Sequence, residues 1–177
     1  MAPCEGQSEY LLLRYFADLL EIPLDQAGVT VIDYQNNGSP GAFVGLARAF
    51  EIPWIMICDN DQGGKDSIRQ IQNRGLTGAE LSQLVRPLPE DDMDWEMFLV
   101  KNGFIQEFRQ ILAERSVILT LNEGTPGFED EIAEKIRADK TGYAIALIEK
   151  LQETPSDASK VPQFLQTLIE DVIVKAS

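Results

Sequence analysis

The chain is 177 residues long, carries a formal net charge of −14 and contains no histidine. Imidazole is therefore excluded as general base, as partner of a nucleophile and as zinc ligand, so carboxylates and lysines must carry any chemistry. An acidic chain does not hold a polyanion unaided, because nucleic-acid affinity comes from neutralising phosphates with Lys and Arg; a nucleic-acid substrate would call on divalent metal and further polypeptide.

The length suits one domain with a sizeable core and room for an appended helical piece. The two cysteines, Cys4 and Cys58, each directly precede an acid at an expected buried strand end. That placement fits reduced thiols better than a disulfide framework and offers no zinc spacing. No apolar stretch approaches membrane-spanning length and no signal peptide is evident, so the expectation is a cytoplasmic protein without membrane contact.

In chain order, the residues up to Cys4 read as a short first strand, and Glu5-Gly6-Gln7-Ser8-Glu9 as a strand-to-helix turn with Ser8 as the cap. A helix is expected over 10–21, its apolar positions (Leu12, Leu13, Phe16, Leu19, Leu20) crowding one face and Pro23 ending it. Glu5 and Glu9 are four apart, which lets both face the same edge; an acidic first turn facing water and favoured by the helix dipole is the alternative. A β-branched second strand is expected over 29–33, then a polar turn cluster over 35–41 and a helix over 42–50. The run Trp54-Ile55-Met56-Ile57-Cys58 reads as a strand buried on both faces, with Gly63-Gly64 turning the chain sharply behind it. This β-α-β-α-β order predicts an α/β fold with a parallel sheet.

Helices are expected over 65–73 and 77–83, and a fourth strand over 84–88. Gly63-Gly64-Lys65 is not a nucleotide loop, since Asp59 stands at the first glycine position and Asp66 at the hydroxyl position. An acidic loop leads to a helix over 95–100 ending near Gly103, in which pattern alone favours a solvent-facing Glu96 over one held inward against a cation. Further helices are expected over 105–115 and 128–137, with 117–121 fitting either a strand or a helical continuation. Lys140-Thr141-Gly142-Tyr143-Ala144 opens an apolar helix to about Leu151, 152–160 is a polar linker, and 161–177 carries the last amphipathic helix.

Asp59 and Asp61, one residue apart at the end of the buried strand, are the first candidates for a metal site. Ligands bind at the carboxyl edge of parallel α/β sheets, and neighbouring loop carboxylates can converge on one hard cation. Taken alone, such a run is more often a polar turn. Paired with Glu5-Gly6-Gln7-Ser8-Glu9 after another strand, it resembles the two signatures of the Toprim domain, shared by type IA and type II topoisomerases, DnaG-type primases, RecR proteins and OLD family nucleases. The closest resemblance is to the C-terminal nuclease domain of OLD family (overcoming lysogenisation defect) ATP-dependent endonucleases. In these the first motif takes the Glu5-to-Glu9 form, a later helix carries an acid like that of Trp95-Glu96, and a lysine segment resembles Lys140-Thr141-Gly142-Tyr143-Ala144. The departures are Trp before Glu96 and Thr141 between the lysine and the glycine.

The resemblance implies a Toprim-like, Rossmann-like, mostly parallel central sheet flanked by helices, with extra C-terminal helices. It implies a catalytic domain over 1–151 with a helical insertion at about 94–137, the linker at 152–160 and a C-terminal helix over 161–177 packed on it. It further implies a metal-dependent DNA endonuclease using two Mg²⁺ or Mn²⁺ ions, with Glu5, Glu9, Asp59, Asp61 and Glu96 as ligands. Glu5 doubles as general base, and Lys140 offsets transition-state charge. The implied partners are DNA, an ATPase domain in cis or in trans, and a second copy of the chain. Two other readings stand beside this one: a different Toprim chemistry, for which neither an attacking tyrosine nor a basic template surface is evident, and a non-catalytic docking module for an ATPase.

Overall fold

The computed structural model describes residues 1–176; Ser177, the end of the expected last helix, lies outside them. Four three-residue strands, β1 (Ala2–Cys4), β2 (Val31–Asp33), β3 (Met56–Cys58) and β4 (Val85–Pro87), pair in parallel. The register sets Cys4 opposite Asp33 and Cys58 opposite Pro87. The ladders divide into two pairs, β1 with β2 and β3 with β4, instead of one continuous sheet. The pairs meet where β1 runs beside β3, joined by Ile55 N–H donating to Met1 O at 3.1 Å. Pro3, at the centre of β1, lacks the N–H that would continue the ladder, while the Pro53 carbonyl accepts from the Met1 amino group at 2.8 Å.

The strand expected over 54–58 is buried on both faces through a two-residue alternation. Ile55 and Ile57 enter the larger core, while Trp54, Met56 and Cys58 enter the smaller one. The larger core takes Leu12, Leu13 and Phe16 from α1 (Gln7–Leu19), and it continues through the C-terminal helices α6 (Trp95–Leu99), α7 (Ile105–Glu114), α8 (Phe128–Arg137), α9 (Lys140–Gln152) and α10 (Gln163–Ala176). The smaller core lies between the sheet and α3 (Pro40–Ala49), α4 (Gln62–Gln72) and α5 (Gly78–Leu84), and is filled by Tyr34, Val44, Ile71 and Leu76.

Several local expectations change. The cap of α1 is Gly6, not Ser8, because the Glu9 carboxylate reaches back to accept the Gly6 N–H at 3.1 Å; Ser8 is buried in the first turn. Within the expected turn cluster, Tyr34–Asn37 forms a short helix, α2, whose cap Asp33 accepts the Asn36 N–H at 3.1 Å. The segment 117–121 is neither strand nor helix. Its backbone is satisfied by Glu131, which accepts the N–H groups of Thr120 at 2.7 Å and Leu121 at 2.9 Å. A kink within Val100–Phe104 separates α6 from α7: Asn102 leaves the helical conformation and Gly103 adopts a φ of 105°, a backbone position that suits glycine.

Gly63 and Gly64 do not turn the chain; they lie in the first turn of α4, which Asp61 caps by accepting the Gly64 N–H at 2.9 Å. Gly64 is required by close packing, since a Cβ there would fall 1.7 Å from the backbone oxygen of Asp59. Relieving that overlap means moving α4 away from the strand end. Gly64→Ala is therefore expected to cost about 3 kcal/mol or more in urea unfolding, above the usual cost of overpacking. Gly45→Ala, on an open helical face where the nearest atom is 4.0 Å away, should gain roughly 0.5–1 kcal/mol. Equal stability of the two variants would contradict this packing account.

Candidate active site

Because the strands are parallel, their carboxyl ends share one edge, and the polar candidates emerge there. Glu5 follows β1, Asp59 follows β3, and the first turn of α1 supplies Glu9. Lys140 is the first residue of α9, whose start is held from several sides. Asp139 accepts the Gly142 N–H at 3.1 Å, and Arg115 reaches Asp139 Oδ2 at 3.2 Å and donates to Gly142 O at 2.8 Å. The Arg115 guanidinium also stands over the Tyr143 ring, 4.3 Å from its centroid. A Cβ on Gly142 would lie 2.0 Å from Asp139 Oδ2, so a larger residue there would displace this capping carboxylate.

Glu5, Glu9, Asp59 and Lys140 together line a cavity of ≈ 260 Å³, with Gln35, Asn36 and Thr141 at its wall. Asp61 and Glu96 do not line it. Asp61 uses Oδ1 to cap α4 and faces Glu5 across Gly63: a Cβ on that glycine would stand 3.2 Å from Asp61 Oδ1 and 3.4 Å from Glu5 Oε1. The polar-turn reading of Asp61 is thus partly realised, though its carboxylate remains beside Glu5. Glu96 is not solvent-facing as its pattern favours; it is 1% exposed, with Lys140 Nζ 2.8 Å from its Oε2. The side chain turns inward because Trp95, Phe98 and Leu99 are also buried, which leaves α6 little polar face.

Burial dominates the electrostatics. It pushes the Asp59 carboxyl up to about 9, reinforced by the like charges of Glu9 and Glu5. The Glu9 carboxyl is pushed up to about 7, and Glu5 and Glu96 are also raised, burial being the first cause in each case. For Lys140 burial acts downward but is outweighed by Glu96, Asp59 and Glu9, which hold the ammonium above its ordinary range.

These side chains are hard oxygen donors, the chemistry of Mg²⁺ and Mn²⁺ rather than of softer metals. Among the described residues neither Glu96 oxygen meets full hydrogen-bond geometry, although the Lys140 ammonium stands 2.8 Å from Oε2; an under-coordinated buried anion of this kind fits a cation. Among the described residues no three acidic or thiol side chains converge tightly enough to ligate one ion as they stand. Lys140 supplies the positive charge in this arrangement.

Sequence reasoning missed Gln35, whose Nε2 donates to Glu5 Oε1 at 2.8 Å. Its signal was present as Asp33 ending a strand, followed by Gln35, Asn36 and Asn37, but carboxamides after a strand read equally as turn chemistry.

The raised carboxyls set a pH dependence. Asp59 and Glu9 hold their protons to higher pH in the folded chain than unfolded carboxyls, which titrate near ~4. The stability this confers is full below about 4 and is lost as pH rises through about 7 for Glu9 and about 9 for Asp59. In EDTA, the melting temperature should fall from pH 5.5 to 9, and Asp59→Asn should remove much of that slope and stabilise the chain by about 1–3 kcal/mol at high pH. A profile that rises across this range would show that the acids are not buried as described.

The sequence model of the OLD-like Toprim domain (overcoming lysogenization defect protein-like) matches residues 4–61, a span that contains Glu5, Glu9, Asp59 and Asp61 but neither Glu96 nor Lys140. Among solved structures, the C-terminal region of the Xanthomonas campestris pv. campestris OLD protein is 19% identical with a TM-score of 0.72, covering 99% of this chain and 94% of that one. The C-terminal region of the Burkholderia pseudomallei OLD protein is 17% identical with a TM-score of 0.73, covering 99% and 97%. Comparison with curated proteins finds no significant match. Residues 4–61 thus match the OLD-like Toprim domain, and the chain as a whole shares its fold with the C-terminal regions of OLD proteins.

Proposed function

We propose that this chain is a metal-dependent DNA endonuclease domain of the OLD type, working with two Mg²⁺ or Mn²⁺ ions. The observation that carries the reading is the meeting of Glu5, Glu9, Asp59 and Lys140, from separate segments of the chain, around one cavity at the carboxyl edge of the strands. Buried like-charged carboxylates are costly to the fold, and a docking module has no use for them.

Glu5, Glu9, Asp59, Asp61 and Glu96 would hold the ions. Bound divalent ions supply acidification of the attacking water and stabilisation of the leaving oxygen. The chain's own residues do the rest. Glu5, with its carboxyl raised and its Oε2 only loosely held by the Asp59 N–H at 3.4 Å, accepts the proton of the attacking water. Lys140, already drawn to this edge by the acids, sets its ammonium against the charge that builds on the phosphate oxygens.

The net charge of −14 argues that DNA is held with help from elsewhere. The solved OLD structures are C-terminal regions, which supports further polypeptide on the N-terminal side; we take it to be an ATPase domain, in cis or in trans, with a second copy of the chain as a further source of contacts. We take 1–151 as the catalytic unit with its insertion at about 94–137, 152–160 as a linker and the C-terminal helix as packed on that unit. Among the described residues no helix is long and apolar enough to cross a membrane, and the two buried free thiols suit a reducing compartment, which points to the cytoplasm.

The test is nicking of supercoiled plasmid with Mg²⁺, Mn²⁺, Ca²⁺ or EDTA. Wild type is expected to nick with Mg²⁺ or Mn²⁺, and Glu5→Ala and Asp59→Ala to lose at least roughly 100-fold. Lys140→Ala should lose about 10²–10³-fold while Mn²⁺ affinity by calorimetry stays nearly intact. Absence of nicking with every metal, together with absence of Mn²⁺ binding, would overturn the reading.

A further inference from the structure

We infer that Gln35 is a positioning residue for Glu5, an inference that rests on the nuclease reading and adds a member to its site. Gln35 grips Glu5 at two points. Its backbone N–H donates to the Glu5 carbonyl at 3.1 Å, and its side-chain Nε2 donates to Glu5 Oε1 at 2.8 Å. A carboxylate only accepts, so the orientation of the Gln35 amide is settled by chemistry: Nε2 faces Glu5 and Oε1 faces away.

Gln35 itself is exposed, but the platform under it is tied down on both sides. Tyr34 is buried in the smaller core, with its hydroxyl 3.3 Å from Ser67 Oγ. On the other side Asp33 accepts from Asn36 Nδ2 at 2.5 Å, and Asn37 Nδ2 donates to the Asp33 carbonyl at 2.8 Å. A four-residue helix anchored this way holds a carboxamide in place against a long, flexible glutamate.

The consequence lies in which Glu5 lone pairs stay open. With the Gln35 amide on Oε1 and the Asp59 N–H on Oε2, the carboxylate is held between two donors at the cavity wall, and each oxygen keeps a lone pair for a cation. Without Gln35 the long 3.4 Å contact from the Asp59 N–H is left to orient the Glu5 carboxylate, which is freer to swing on its three side-chain torsions. Partners that orient a ligand in this manner are typically worth 10- to 100-fold in metal affinity or activity.

The experiment compares Gln35→Met, which keeps length and volume but removes the donor, with Gln166→Met, which removes an equivalent carboxamide donor, from Gln166 Nε2 to Val161 O at 2.7 Å, at the start of α10 and outside the site. Readouts are Mn²⁺ affinity by calorimetry, kcat and KM for plasmid nicking, and melting temperature. Gln35→Met should weaken Mn²⁺ binding and lower kcat by about tenfold each, with KM for DNA unchanged. Gln166→Met should lower the melting temperature yet keep wild-type Mn²⁺ affinity and kcat. Native kcat and Mn²⁺ affinity in Gln35→Met, or an equal loss in Gln166→Met, overturns the positioning role while leaving the nuclease reading intact. Wild type that neither binds Mn²⁺ nor nicks removes both.

Discussion

The ion pair between Lys140 and Glu96 is the contact on which the site depends. Five carboxylates, Glu5, Glu9, Asp59, Asp61 and Glu96, gather around one strand edge, and Glu96 is sealed at 1% exposure. The Lys140 ammonium, 2.8 Å from Glu96 Oε2, is drawn into that group and also attracts Asp59 and Glu9, while Arg137 and Lys65 act on Glu96 and Asp61 from outside. Much of the C-terminal half serves to deliver Lys140. Arg115 clamps the start of α9, Arg137 is paired with Asp94 at the start of α6, and the larger core ties both helices to β1 and β3.

That arrangement is a poor way to stabilise a fold. Buried carboxyls that resist ionisation remove stability as pH rises, and Coulomb attraction to one lysine offsets only part of the cost. The rest of the chain compensates with ordinary means: a strand buried on both faces, a continuous helical core around Phe16, Phe98, Phe104 and Phe108, and backbone groups of irregular segments satisfied by side chains such as Glu131. Strain concentrated at one edge and packing everywhere else is the distribution expected where chemistry is done.

The fold class was legible because β3 is short, wholly apolar and bounded by Pro53 and the acids, and because the β-α-β-α-β order leaves few alternatives. Its division into two paired ladders was not, since ladder continuity depends on where Pro3 falls between neighbouring strands. In the site, Glu5, Glu9 and Asp59 could be read from strand ends and helical spacing. The inward turn of Glu96 could not, because a lone acid among apolar residues has the same pattern whether it faces water or a lysine 44 positions away. Gly63-Gly64 was misread as a turn for a related reason: glycine serves φ freedom and close packing alike, and only the 1.7 Å overlap at Gly64 distinguishes them. Gln35 was hidden by the equivalence of carboxamides in turns and in sites.

The central claim is that this acidic edge is built to hold hard divalent cations, and anomalous scattering from a crystal equilibrated with Mn²⁺ tests it most directly. The account predicts anomalous density in the cavity lined by Glu5, Glu9 and Asp59, with the surrounding carboxylates turned toward it. A cavity free of anomalous density at millimolar Mn²⁺ and pH 8, with Lys140 still seated on Glu96, would contradict it.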